Sequence, residues 1–282
     1  MPFTDRELAE VNAANATDKQ PVVFMHGLWL LAGSWDRWRA LLEERGYVTL
    51  APGWPQDPET VDDGVAEPDR FAGASVGQVR DHMAEVVRSL SRRTPILVGH
   101  SFGGLFVQQL AGMGLAAATV AIDPAPFRGV LPLPRSTLRA ALPVLGNPLN
   151  RSKSVMLTFE QFRYAFANAV SEDEARSLYE TYAVPAPGRP LFQGAVANIN
   201  WRTEACVNTA QADRGPLLLI GGTADTTIPP RLVHAAAKRY KLQPADVEEI
   251  PGRGHSLTID SGWREVADTA LAFLERNGLA PA

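Results

Sequence analysis

Ile96-Leu97-Val98-Gly99-His100-Ser101-Phe102-Gly103-Gly104-Leu105-Phe106-Val107-Gln108-Gln109-Leu110 decides the fold class of this chain. A short buried-type run, Ile96 to Val98, leads into a serine flanked by glycines two places before and two after. A helical stretch from Leu105 to Leu110 follows. A serine at the tip of a tight strand-to-helix turn is forced toward positive φ, which packs its i−2 and i+2 neighbours together, so both must be small. Gly99 and Gly103 meet that demand. The turn lifts the Ser101 hydroxyl above the C-terminal edge of a parallel sheet, where open α/β sheets bind their ligands.

Working outward, β-branched runs alternate with stretches of helical period, which predicts a parallel sheet with helices on both faces. The strands expected are Pro21 to Met25, Tyr47 to Leu50, Pro95 to Val98, Ala118 to Ile122, Pro216 to Ile220 and Asp246 to Ile250. Trp35, Trp38, Leu41 and Leu42 share one helical face, with Ser34 as N-cap and Gly46 as the stop. Ser75 to Gln78 has capping-box spacing ahead of Val76, Val79, Met83, Val86 and Leu90, and a closing helix runs from Trp263 to Leu274.

The alternation breaks in residues 127–213, where proline-rich turns separate helical patterns and no strand is evident. This predicts a helical cap inserted into a core made of residues 1–126 and 214–282. Ala51 to Gly73, rich in Pro, Gly and acids, reads as a solvated loop. The residues before Pro21 show no pattern.

The length of 282 residues suits one α/β domain with a large insertion, and 45% hydrophobic with 21% charged residues is ordinary for a globular protein. A net charge of −4 offers no bulk positive field, so neither nucleic acid nor an anionic membrane is expected as a partner. The single cysteine, Cys206, excludes an intrachain disulfide and a cysteine-based metal site. With no leader-like start and no long apolar run, the expectation is a cytoplasmic protein.

A serine hydroxyl needs a base to take its proton, usually an imidazole held by a carboxylate. Of the five histidines, His82 and His234 fall within helical patterns, His100 sits inside the elbow pointing away from Ser101, and His26 shapes the loop after the first strand. His255, in the glycine-rich Pro251-Gly252-Arg253-Gly254-His255 past the last strand, is the expected base. Asp225, in the loop Gly221 to Pro229, is the favoured orienter. Asp123, also at a strand end, competes with it, but a catalytic Asp123 leaves the Asp225 loop without a role. Oxyanion donors are expected from the backbone N–H groups of Phe102 and Leu28, with Gly27 permitting the turn before Leu28.

With HGLW after the first strand, GHSFG at the elbow, GGTAD before Pro229 and GRGHS near the end, nearly the whole chain resembles the α/β-hydrolase superfamily. The opening HGLWLLAGSW, residues 26–35, is similar to the HGAW-type start of the plant methylesterase and hydroxynitrile-lyase branch. The resemblance implies Ser101 as nucleophile, His255 as base and then acid, Asp225 as orienter and Leu28 with Phe102 as oxyanion hole. Gly27 and Ser256 stand where the lyases carry threonine and lysine, which argues against a lyase. Ser101 also departs from the aspartate nucleophile of haloalkane dehalogenases and epoxide hydrolases.

The implied activity is hydrolysis of carboxylic esters or lactones, uncharged and moderately hydrophobic, with no metal or organic cofactor. Cofactor-free haloperoxidases and perhydrolases share the triad and form the enzymatic alternative; a ligand-binding protein on the same fold is the other. Trp29, Phe127, Phe159, Phe162, Phe166 and Trp201 are the candidate substrate-binding residues, although most cap aromatics are expected to fill the cap's own core.

Overall fold

The computed structural model describes residues 2–131 and 133–281. Eight strands occur in chain order: β1 Pro21–Met25, β2 Val48–Leu50, β3 Ile96–His100, β4 Ala118–Ile122, β5 Ser154–Val155, β6 Ala186–Pro187, β7 Leu217–Gly222 and β8 Asp246–Ile250. Six of them form one sheet in the order β2-β1-β3-β4-β7-β8, every neighbouring pair parallel. The expected strands are all present, with ends shifted by a residue or two.

The α-helices are α1 Asp5–Asn15, α2 Asp36–Glu44, α3 Val61–Ala66, α4 Val76–Arg88, α5 Phe102–Ala111, α6 Arg135–Leu145, α7 Phe159–Ala165, α8 Glu172–Tyr182, α9 Arg189–Ala195, α10 Pro230–Ala237 and α11 Trp263–Arg276. Side-chain alternation along each strand splits the core in two. Val22, Phe24, Ile96, Val98, Val120 and Ile122 join Trp35, Trp38 and Leu41 on the α2 side with Phe273 and Leu274 of α11. Val23, Met25, Leu97 and Ala121 pack on the other face against α4 and α5.

Two stretches differ from expectation. The first is α1, where Thr4 and Glu7 form a reciprocal capping box. This helix buries only Val11 and Ala14 in the core and adds polar contacts: Glu7 meets His82 of α4 at 2.9 Å with both side chains buried, and Glu10 accepts from the Ala51 N–H. It lies along β2, the edge strand, and so protects an edge that otherwise offers unpaired backbone groups. The second is the span from Ala51 to Gly73, which contains α3 and buries Trp54 and Phe71. The Trp54 indole donates to the His26 carbonyl at 3.2 Å and stacks on its ring, so this segment underpins the loop after β1.

Smaller differences concern helix starts. Ser34 lies in a 3-10 turn, Ala32–Trp35, and α2 begins after it, while Ser75 and Gln78 do form their capping box. Between β4 and β7 the chain leaves the sheet for α6 to α9 and the two-residue antiparallel pair of β5 with β6. Because β1 connects outward to β2 and the chain returns to β3 on its other side, the strand order reverses between β1 and β3. Their C-terminal ends lie at the topological switch point, the crevice open α/β sheets use for ligands.

Candidate active site

Register brings the two key loops together. Met25 pairs with Gly99, so His26 and Gly27 emerge beside His100 and Ser101. Ser101 has φ 55° and ψ −118°, a strained conformation for a residue with a side chain. Three backbone bonds hold it there: its N–H donates to Ile122, and its carbonyl accepts from Leu105 and Ala125. The small-residue demand is absolute, since a Cβ on Gly99 would lie 2.3 Å from the Gly103 oxygen and one on Gly103 would lie 1.9 Å from the Met25 oxygen.

Gly27 does more than permit the turn, because its contact is with the serine itself. A Cβ there would lie 2.8 Å from Ser101 Cβ and 3.4 Å from its Oγ. The Gly27–Leu28 backbone therefore passes directly against the hydroxyl. Phe102 is the first residue of α5, so its N–H is among those with no acceptor inside the helix. Leu28 and Phe102 both line the cavity that Ser101 faces.

His255 is 1% exposed, and its Nδ1 lies 2.6 Å from Asp225 Oδ2. The other Asp225 oxygen accepts from the N–H groups of Thr227 at 2.6 Å and Ile228 at 2.9 Å. A carboxylate fixed by two backbone donors holds the imidazole in one tautomer, with its proton on Nδ1. Nε2 is then the nitrogen available toward the cavity that His255 and Ser101 both line. Helix α7 braces these loops: Thr226 and Thr227 hydroxyls donate to the carbonyls of Tyr164 and Ala165, Ser256 N–H donates to Phe166, and the Phe166 ring sits 5.0 Å from His255.

Asp123 is close but not bonded to the imidazole, its Oδ2 being 3.8 Å from His255 Nδ1. Its other oxygen accepts from the Gly222 N–H at 2.9 Å, and its φ is +39°. Burial first, and then the charge of Asp225 beside it, hold Asp123 well above the usual carboxylate range. The two buried carboxyls sit in different surroundings, Asp225 with two backbone N–H donors and the imidazole, Asp123 with the single Gly222 N–H. His100, 1% exposed, packs its ring 4.6 Å from that of His255, and burial, reinforced by His255, pushes it well below the ordinary imidazole value. His100, Asp123 and His255 each offer a ligand atom within 4.8 Å of the others. Within the trio no hydrogen bond forms among the described residues: His255 Nδ1 is taken by Asp225, while both His100 nitrogens are buried without a partner.

The remaining histidines serve the scaffold. His26 Nδ1 donates to the Gly27 carbonyl at 2.9 Å and its Nε2 lies 3.1 Å from Asp57, which fixes the loop as expected. His82 joins α4 to α1, and exposed His234 meets Glu249 at 2.7 Å.

The cavity over Ser101 has a volume of about 90 Å³. Of the six aromatic candidates, only Trp29 and Phe166 line it. Phe127 is buried against Tyr240, Phe162 is buried between Phe166 and Tyr179, Phe159 packs on Tyr179 under Arg176, and Trp201 is 69% exposed. Bulk hydrophobes at helical spacing fill the core of the insertion first. The walls are instead small and aliphatic: Thr137, Leu138 and Ala141 of α6 and Leu191, Gly194 and Ala195 of α9. Their helical spacing after Pro134 was visible in the sequence, but nothing there marked which face turns toward Ser101.

A model of the alpha/beta hydrolase family matches residues 22–269. A non-heme chloroperoxidase of Burkholderia pyrrocinia is 27% identical over 277 residues, covering 86% of this chain and 88% of that protein. Among solved structures, the monoacylglycerol lipase of Paleococcus ferrophilus superposes with a TM-score of 0.64 at 21% identity, covering 91% of this chain and 94% of that one. An extracellular alpha/beta-hydrolase from a Paenibacillus species gives 0.65 at 20% identity, over 90% and 98% of the two chains.

Proposed function

Because the chain belongs to the alpha/beta hydrolase family, we propose that it is a serine hydrolase of carboxylic esters, lactones included, acting through an acyl-enzyme on Ser101 beneath a cap formed by residues 127–213. The observation that carries this reading is the 2.6 Å contact of His255 Nδ1 with Asp225 in a cavity shared by His255 and Ser101.

Ser101 Oγ attacks the carbonyl carbon while His255 Nε2 takes its proton, and Asp225 stabilises the imidazolium through Nδ1–H. The carbonyl oxygen becomes an oxyanion and accepts from the Leu28 and Phe102 N–H groups. As the intermediate collapses, the C–O bond to the leaving alcohol breaks and His255 Nε2–H protonates that oxygen. Water then attacks the acyl carbon, giving a proton to His255, which returns it to Ser101 as the carboxylic acid departs.

The lining supports an uncharged substrate. It contains no Asp, Glu, Lys or Arg, and the Thr137 hydroxyl is already donated to the Thr227 carbonyl at 2.7 Å. A volume of about 90 Å³ is several times the roughly 10–15 Å³ that one water needs on the same measure. A short acyl chain fits that space.

The decisive experiment combines fluorophosphonate labelling, with mass spectrometry to locate the adduct, and turnover of p-nitrophenyl esters of increasing chain length. Labelling at Ser101 and turnover lost in Ser101→Ala and His255→Ala, both still folded, are the expected results. Retained hydrolysis in either variant would sink the mechanism. The resemblance to a chloroperoxidase supports a second reading, in which hydrogen peroxide replaces water at the acyl-enzyme and releases a peracid. Peroxide-dependent halogenation that exceeds ester hydrolysis would favour it.

A further inference from the structure

The outer face of α6 is explained neither by the core nor by the cavity. From Pro124 to Phe159 the sequence has no Asp or Glu, yet it carries Arg128, Arg135, Arg139, Arg151 and Lys153 in a chain of net charge −4. All five are exposed. Among the described residues none of them joins an ion pair. Arg135, Leu138, Arg139 and Leu142 follow the i, i+3, i+4, i+7 spacing of one helix face, with Leu138 48% and Leu142 61% exposed. The opposite face buries Ala140 and Val144. The 3-10 turn Pro148–Ser152 packs on α6 and adds Leu149, 65% exposed, next to Arg151.

On this exposed helix face leucines interleave with arginines that have no acidic partner, Arg139 resting 4.3 Å over the Tyr164 ring, and the combination matches two chemistries at once. The leucines suit acyl chains, and the arginines suit phosphate headgroups. A nucleic-acid backbone would use the cations and leave the leucines without a partner. The low overall charge pointed away from any anionic surface, but a sum over the whole chain conceals a long segment free of acids. We propose that the outer face of α6 docks the protein on an anionic lipid bilayer. No helix of the described residues is long and apolar enough to cross a membrane, so the contact is peripheral. Leu138 is both exposed and part of the cavity wall, so a membrane on α6 lies directly over the chamber that contains Ser101.

The test is co-sedimentation of the whole chain with vesicles of phosphatidylcholine alone or mixed with phosphatidylglycerol. The protein should sediment with the anionic vesicles and stay in solution with the neutral ones. Arg135→Glu and Arg151→Glu should each weaken binding by about fivefold or more, from the loss of one surface cation. Leu142→Glu should weaken it as well, with unfolding temperature and turnover of a soluble ester unchanged. Equal sedimentation with both vesicle types, none with either, or binding indifferent to these substitutions would overturn the proposal. So would a dimer in light scattering that Leu142→Glu dissolves, because the face would then belong to a second copy. Sedimentation needs no turnover, so a failed triad leaves this test intact.

Discussion

Replacing Asp225 with Asn isolates the tautomer argument, because the surrounding donors dictate how the amide must sit. The Thr227 and Ile228 N–H groups, 2.6 and 2.9 Å from Oδ1, require an oxygen facing them. The amide NH₂ is therefore turned toward His255 Nδ1, where Oδ2 now accepts at 2.6 Å. Two donors cannot face each other at that distance, so the imidazole moves its proton to Nε2 and can no longer take one from Ser101. The expected loss is roughly four decades in kcat, about 5 kcal/mol of barrier. Asp123 sets the residue of activity. Burial raises Asp123 first and Asp225 adds to it through its charge and a side-chain hydrogen bond, so removing the Asp225 charge weakens the hold on the Asp123 proton, and Asp123 Oδ2 is only 3.8 Å from Nδ1. Residual turnover in Asp225→Asn should then rise with pH and fall again in the Asp123→Asn, Asp225→Asn double variant. Steady-state kinetics on p-nitrophenyl acetate across pH measures both. A loss smaller than tenfold, or a larger loss in Asp123→Asn alone, would refute the assignment of Asp225 as orienter.

Three further outcomes are expected. The folded state keeps a proton on Asp123 that the unfolded chain releases in the ordinary carboxylate range, so this group costs the native protein stability as pH rises from that range toward its raised folded value. Asp123→Asn, whose amide imitates the neutral acid, should flatten that slope in calorimetric Tm across pH; an unaltered slope would mean Asp123 is ionised. Gly103→Ala, with its Cβ 1.9 Å from the Met25 oxygen, should lose more than about 4 kcal/mol in urea unfolding. Gly252→Ala, with φ +71° but open space around it, should lose only about 1 to 2 kcal/mol; similar losses would discredit the close-packing account of the elbow. Finally, Leu191→Ala should move the acyl-chain optimum to longer esters and Ala141→Leu toward acetate, and an optimum unmoved by both would place the acyl group outside the α6–α9 walls.

The parallel sheet, its covering helices and the elbow were legible because they rest on local rules. Strands buried on both faces must be continuous apolar runs, and a serine at positive φ must have small neighbours at i−2 and i+2. Strands β1, β3, β4 and β7 were readable for that reason, whereas β8, Asp246–Ile250, is an edge strand with Glu248 and Glu249 exposed; the order of the loop motifs pointed to His255 and Asp225. Helix α1 escaped notice because Glu7 with His82 and Glu10 with the Ala51 N–H do the anchoring that apolar periodicity usually announces.

What the sequence by itself determined is the chemistry available at the sheet's C-terminal edge, since spacing within a single turn or strand end constrains it. Only the tertiary structure sets the two carboxylates apart in distance, 2.6 Å against 3.8 Å from the same nitrogen, because the two follow strands β4 and β7 that become neighbours only in the folded sheet. It also places aliphatic residues of α6 and α9 on the cavity wall, where among the described phenylalanines of the insertion Phe166 alone reaches. Helical periodicity states that a face is buried, but the partner it is buried against is set by packing between segments far apart in the chain.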